Sequence, residues 1–535
     1  MTRRCVPGAA NGSPISRCPR SSSSSTSSPS FRSERSTRTR CGRVITPQEK
    51  LMSELRKTIS PLALVAIGAA GVIGSSWLYL GSTFFHEFGA GGTILGMLLA
   101  TALAACIAIA YSNLAARLPR AGGEVVYSVV GGNRLLGFIV GWLLIGTYAG
   151  TVAFYVTATG RLLSTAWPSL NTVPLYEIGG ETIYLPVLAI GVVLTLVMLA
   201  LNWNGVEFSA RTQLILFGIM VVLAVAVVVA GFGSGSASNF FPMFDADADS
   251  SPIANVLGFV LPAFGFLIGF GVVAIMAEEA KATPRQIGRI VVISVLLAGG
   301  FYAIVLAATA WVIPWQDTAA LTNGTIEAFD VAGMPLISTV AFVIGVLGIV
   351  TTFIAVFAAS SRLMFALARI ELFPPVFGKV DERTGSPRAA LVLTAVIGLA
   401  LGSLGPGALV WFLNTGGVYI GIVWAVTVVI MFRIRRMTGG GGSIVSTVLP
   451  VIGAVAAVGV VLAALIPASP LSLRWPGEYL IVIAWVALGL VLYLLSPRTM
   501  SREESLRALL GEYYDSVFGG GERRADRPEV ESERS

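Results

Sequence analysis

About a dozen long apolar stretches, nearly free of charge, follow one another between residues 61 and 495. Each is close to the ~20 residues a helix needs to cross the hydrocarbon of a bilayer. Backbone N–H and C=O groups find no water there, so such stretches must form helices that satisfy their own polar groups. The sequence therefore reads as an all-α polytopic membrane protein whose function resides inside a helix bundle. Hydrophobic residues make up 55% of the chain and charged residues 12%, against about 25% charged in a typical soluble domain. The 60 glycines suit helices packed closely in lipid.

The spans fall at 61–85, 92–116, 134–160, 184–201, 208–231, 255–276, 287–312, 338–366, 388–404, 408–432, 444–466 and 478–495. Segments after the even-numbered spans hold fifteen basic residues, among them Arg117, Arg120, Arg134, Lys281, Arg285, Arg289, Arg362, Arg388 and Arg433. Those after the odd-numbered spans hold only Arg161 and Arg474, and are acidic where charged, as at Asp245, Asp247, Asp249, Asp317 and Asp330. Positive charge marks the cytoplasmic side, so this pattern predicts a multi-pass protein of the cytoplasmic membrane with both termini in the cytoplasm. An odd number of spans would break the alternation.

The formal charge of +7 comes from the first 50 residues, which carry ten basic and two acidic side chains. This Ser/Arg-rich tail over 1–57 has no apolar core of a secretory signal and reads as disordered. Met52 offers an alternative start. Because the remainder is near neutral, nucleic acid is not an expected partner. The four cysteines, three of them in the tail and Cys106 in a span, imply no disulfide framework. A polar segment over 496–535 contains an amphipathic patch, SLRALLGEYYDSVF.

Catalytic and ATP-driven readings find no motif. His86, the only histidine, stands beside Glu87 without a second metal ligand, and Gly378-Lys379 is followed by Val380 where a phosphate-binding loop needs Ser or Thr. No cofactor or metal is called for. What the sequence does offer is two interrupted spans. The first holds Gly71-Val72-Ile73-Gly74-Ser75-Ser76, and the sixth holds Phe264-Gly265-Phe266-Leu267-Ile268-Gly269-Phe270-Gly271 after Pro262. Each helical glycine costs ~1 kcal/mol against alanine, so these clusters invite unwinding at mid-membrane. Close helix packing is the plainer reading of glycine alone. Spacing argues otherwise, since interrupted helices in corresponding positions of two halves mark the binding site of inverted-repeat transporters.

Four patches extend the pattern: Gly71-Val72-Ile73-Gly74-Ser75; Tyr111-Ser112-Asn113-Leu114 leading to Arg117-Leu118-Pro119-Arg120-Ala121-Gly122-Gly123; Glu278-Glu279-Ala280-Lys281 with Pro284-Arg285; and Ser360-Ser361-Arg362 through Gly385-Ser386-Pro387. In this order they resemble the amino acid–polyamine–organocation superfamily of secondary transporters. The resemblance implies a LeuT-like fold of five plus five spans (58–232 and 250–436), with the last two spans (444–495) peripheral. It also implies that Ile73, Gly74, Ser75 and Ser76 hold a substrate carboxylate, and that Phe264, Phe266 and Gly269 receive the ammonium and shape the side-chain pocket. Tyr148, Thr151 and Tyr155, at i, i+3 and i+7, would face that pocket from the third span, unless they serve only interhelical bonding.

For coupling, the fifth-span lysine of some superfamily members is missing from Gln213–Met220. A sodium-like site of Gly71, Val72, Thr351 and Thr352 is then expected, unless those threonines bond back to their own helix. Proton coupling through Glu278, Glu279 or Glu207 is the other possibility, although these carboxylates are expected chiefly in a cytoplasmic gate with Lys281, Arg285 or Arg211. The sequence thus reads as a permease moving a neutral amino acid by alternating access on a Na⁺ or H⁺ gradient. A polyamine or organic-anion permease, and a transport-inactive membrane sensor, are the alternatives.

Overall fold

The computed structural model describes residues 57–244, 251–439, 441–467, 469 and 471–518. The tail over 1–56, the acidic positions Asp245, Asp247 and Asp249, and the end of the chain from 519 lie outside the described residues. Eleven helices among those described are long and apolar enough to cross a membrane. A further apolar helix, Arg388–Gly402, is 15 residues long and occupies the place of the ninth span. Several start where the sequence supplies a stop for the preceding backbone and a cap for the new helix. Ser60 accepts from Ala63 N–H ahead of Pro61, Asn133 accepts from Leu136 N–H ahead of Arg134, and Thr283 and Gln286 form a reciprocal capping box around Pro284. Such caps satisfy amides that have no partner within the helix.

Burial separates core from rim. In the most apolar window of the sixth span 89% of residues are buried and in that of the first 83%, whereas the fourth, fifth and eleventh reach 28% and the twelfth 17%. The fifth, seventh and eighth spans pack on the first, and the second and tenth on the sixth, so the two interrupted helices run through the middle of the bundle. Between the third and fourth spans a small hairpin pairs Pro174–Ile178 with Glu181–Tyr184. Its turn is Gly179-Gly180 with φ of +63° and +80°, the left-handed pair that a two-residue hairpin turn requires. Its two strands, of five and four residues, are too short to stand out in the sequence between the apolar runs.

Both expected interruptions are present. The first span is helical over Pro61–Val72, bends at Ile73 and resumes at Ser76. The sixth is a chain of short pieces, Pro252–Gly258, Val260–Phe266, a tight turn over Ile268–Gly271, and Val272–Ile275. The breaks touch: a Cβ on Gly269 would collide with the carbonyl of Gly71, and one on Gly71 would lie 3.3 Å from the Gly269 oxygen. Only glycine lets the two backbones meet this closely.

Candidate substrate chamber

The bend of the first span is a three-residue turn, with Ile73 at φ −75° and ψ 88° and Gly74 N–H donating to the Val72 carbonyl at 2.9 Å. A bend inside a bundle leaves amides and carbonyls that must be satisfied from outside the helix. Two side chains do so. The Tyr302 hydroxyl donates to the Val72 carbonyl at 2.6 Å and accepts from Gly74 N–H at 2.7 Å. The Thr352 hydroxyl reaches the Ala70 carbonyl at 2.8 Å and that of Ile73 at 3.2 Å. The bend is therefore held by the seventh and eighth spans together.

Beside it lies a cavity of about 20 Å³, room for about one water. Its wall comprises Gly71, Val72 and Ser76 of the first span, Thr151, Phe154 and Tyr155 of the third, and Gly265, Phe266 and Ile268 of the sixth. Tyr302, Thr352, Val356, Phe412 and Leu413 complete it from the seventh, eighth and tenth spans. No charged side chain lines it. Phe266 stands edge-on to Tyr302 with ring centroids 5.2 Å apart. In this conformation the chamber is closed.

The residues named from sequence distribute unevenly. Gly71, Val72, Ser76, Thr151, Phe266 and Thr352 line the cavity. Ile73, Gly74 and Ser75 form the buried bend behind it, and a Cβ on Gly74 would collide with the Tyr155 hydroxyl. Gly269 sits against Gly71. Phe264 turns away and packs on Trp424, centroids 4.9 Å apart. Tyr148 lies outside the wall, near Gly271 and Glu124. It shares a helix face with Tyr155, but seven residues are two turns, ~10 Å along the axis, so the two serve different depths. Thr351 bonds back to Gly348 of its own helix at 3.2 Å. Tyr302 and Phe412 were not anticipated. A signal for Tyr302 did exist, as it is the one tyrosine in Pro284–Val312, and a hydroxyl in a buried apolar run needs a partner.

Toward the arginine-rich end, Glu278 and Glu279 are buried in ion pairs, but not with Lys281 or Arg285, which are exposed. Arg362 grips Glu279 through Nε at 3.0 Å and Nη2 at 3.3 Å. Glu278 lies 3.5 Å from Arg369 and 3.7 Å from Arg120 and accepts from Ala121 N–H at 3.0 Å. The difference has a physical cause. Lys281 and Arg285 follow the point where the sixth span leaves the bundle, whereas Arg362 and Arg369 stand on the buried face of the long eighth helix. The main chain of the same turn binds the segment before the first span, with Thr58 and Ile59 amides donating to the Glu279 carbonyl. Arg120 also donates to the Leu509 carbonyl at 2.9 Å, which seats the helix Arg502–Leu510 across this end. That helix holds the first part of the amphipathic patch of the sequence, with Leu506, Leu509 and Leu510 buried.

A helix bundle with two facing interruptions, an uncharged central chamber and one end closed by ion pairs agrees with a membrane transporter. A family model described as amino acid permease matches residues 63–491, and the chain belongs to that family. The chain is 27% identical over 363 residues to an uncharacterised transporter of Mycobacterium tuberculosis, covering 66% of this chain and 76% of that one. It is 24% identical to the branched-chain amino acid permease BcaP of Lactococcus lactis, over 70% of this chain and 81% of the relative. Cationic amino acid transporter 4 of Mus musculus is 24% identical over 73% of this chain and 62% of the relative.

Proposed function

We propose that this protein is a secondary active permease that moves a neutral amino acid across the cytoplasmic membrane by alternating access, with both termini in the cytoplasm. The carrying observation is the chamber where the two interrupted helices meet, because it has main-chain polar groups at one wall, aromatic rings at the others and no charged side chain. The helix that resumes at Ser76 begins with amides lacking acceptors in their own helix, and its dipole favours a carboxylate there. Carbonyls of the sixth-span break suit the ammonium. The aromatic and aliphatic wall of Phe154, Phe266, Ile268 and Phe412 suits an apolar side chain, whereas a second ionic charge would lie in this wall without a counterion.

In this reading the Glu278–Arg369–Arg120 and Glu279–Arg362 pairs are the cytoplasmic gate, and the conformation described has that gate closed. Uptake of radiolabelled amino acids into proteoliposomes tests the proposal. Leucine-like and aromatic amino acids are expected to accumulate, and lysine and glutamate to enter at least tenfold more slowly. Preference for lysine, or uptake of no amino acid, would refute it.

A further inference from the structure

Between the second and third spans the chain folds back into the bundle as a short helix, Glu124–Gly131, every residue of which is buried. Its first residue, Glu124, is fully enclosed, as are Tyr111, Tyr127 and Tyr148 around it. Neither carboxyl oxygen makes a well-formed hydrogen bond, nor does any of the three tyrosine hydroxyls. A Cβ on Gly271 of the sixth span would lie 2.7 Å from Glu124 Oε1, so the carboxyl fills the space that a side chain there would need.

Among the described residues no cation compensates it. The tyrosines face Glu124 from the second span, its own helix and the third span, the sixth span presents a glycine, and Thr427 of the tenth reaches Tyr111. Arg120, on the same loop, is engaged by Glu278 and the Leu509 carbonyl. An ionised carboxylate walled in without a cation costs several kcal/mol, so such a group takes up a proton instead. Burial pushes the Glu124 carboxyl up to about 8, against the lesser effects of its own backbone amide and the Tyr111 hydroxyl.

The loop carrying Glu124 is tied to the second half of the sixth span. Gly122 N–H donates to the Ile275 carbonyl at 3.2 Å, Ala121 N–H donates to Glu278, and a Cβ on Gly123 would lie 3.1 Å from the Ala274 carbonyl carbon. Movement of residues 272–279 therefore changes the wall around Glu124.

We propose that Glu124 is the binding site of the proton that couples to transport, an inference that rests on the permease reading. With the gate closed, the carboxyl is neutral. When the 272–279 segment swings away and water enters, the O–H bond breaks, the proton passes to water, and the carboxylate is solvated. The sign follows from the two environments. The enclosed group holds its proton at pH 7, below its raised value, and loses it at the same pH once hydration restores the ordinary carboxylate range.

Two measurements on the full chain test this. Infrared spectra of wild type and Glu124→Gln at pH 7 are expected to differ by one protonated-carboxyl carbonyl band, present only in wild type. In proteoliposomes carrying a proton-sensitive dye, the amino acid of the panel that wild type accumulates best is expected to carry protons in with it. Glu124→Gln should reduce accumulation driven by a pH gradient at least tenfold while counterflow, which needs no net proton movement, stays measurable. Glu124→Asp should recover part of the accumulation. Absence of the infrared difference, undiminished accumulation by Glu124→Gln, or accumulation by wild type on a sodium gradient without proton entry would overturn the proposal. If wild type takes up nothing from the panel, the permease reading fails, and the infrared band still decides whether Glu124 holds a proton.

Discussion

At the scale of single residues, the chamber depends on side chains that stand in for missing helical hydrogen bonds. Tyr302 serves a carbonyl and an amide of the bend at once. Tyr302→Phe keeps the ring and removes both bonds, leaving buried main-chain groups unpaired at ~1–3 kcal/mol each. Uptake by this variant is expected to fall at least tenfold with expression intact; full uptake would show the bend to be self-supporting. Gly74 has a different role, since the Tyr155 hydroxyl occupies the place of its missing side chain. Gly74→Leu should abolish uptake without preventing membrane insertion, because the other spans keep their apolar faces. Uptake assays against membrane expression levels check both. The glycines were legible in the sequence as a cluster, while Tyr302 was not, because its partner lies 230 residues away and only the folded bundle brings the two together.

At the scale of elements, the long eighth helix, Pro335–Arg369, is the rail to which the end of the sixth span is fastened. The Arg362–Glu279 pair is almost fully buried, at 1% and 3% side-chain exposure. Removing one member of a buried pair strands the other, at ~3–5 kcal/mol, whereas replacing both with apolar residues is far milder. Arg362→Ala is therefore expected to lower the detergent melting temperature clearly, and Arg362→Leu with Glu279→Leu to recover much of it. Equal melting temperatures for single variant and wild type would mean that the pair adds nothing to the closed state. Sequence paired Glu278 and Glu279 with Lys281 and Arg285, because nearness along the chain favoured them, whereas the structure pairs them with Arg362, Arg369 and Arg120. On a 35-residue helix Arg362 and Arg369 lie seven positions apart on one face, two turns that match adjacent glutamates on a tight turn. That match is a property of packing, which periodicity alone does not register.

At the scale of the whole molecule, the apolar runs locate the helices and their order, because lipid imposes length and helicity on each span separately; among the described residues eleven reach spanning length, and the ninth, Arg388–Gly402, has 15 residues. Depth within the bundle was the hidden variable. It separates Tyr155 at the chamber from Tyr148 near Glu124, and it gives Glu124, on a loop between spans by sequence, a fully enclosed position. The same charge alternation predicts orientation. Single cysteines introduced at exposed Arg285 and at exposed Asp330 should be labelled by impermeant maleimide from opposite sides of the membrane, Arg285 from the cytoplasm. Labelling of both from one side would contradict the assignment.

The chamber's size has an electrical consequence. A waist that admits about one water, ringed by phenylalanines, offers no continuous wet path for ions, so a bilayer crowded with the closed protein keeps its voltage. If the permease proposal holds, any charge that crosses travels as cargo, one turnover at a time, and current should vanish whenever the solute is withdrawn.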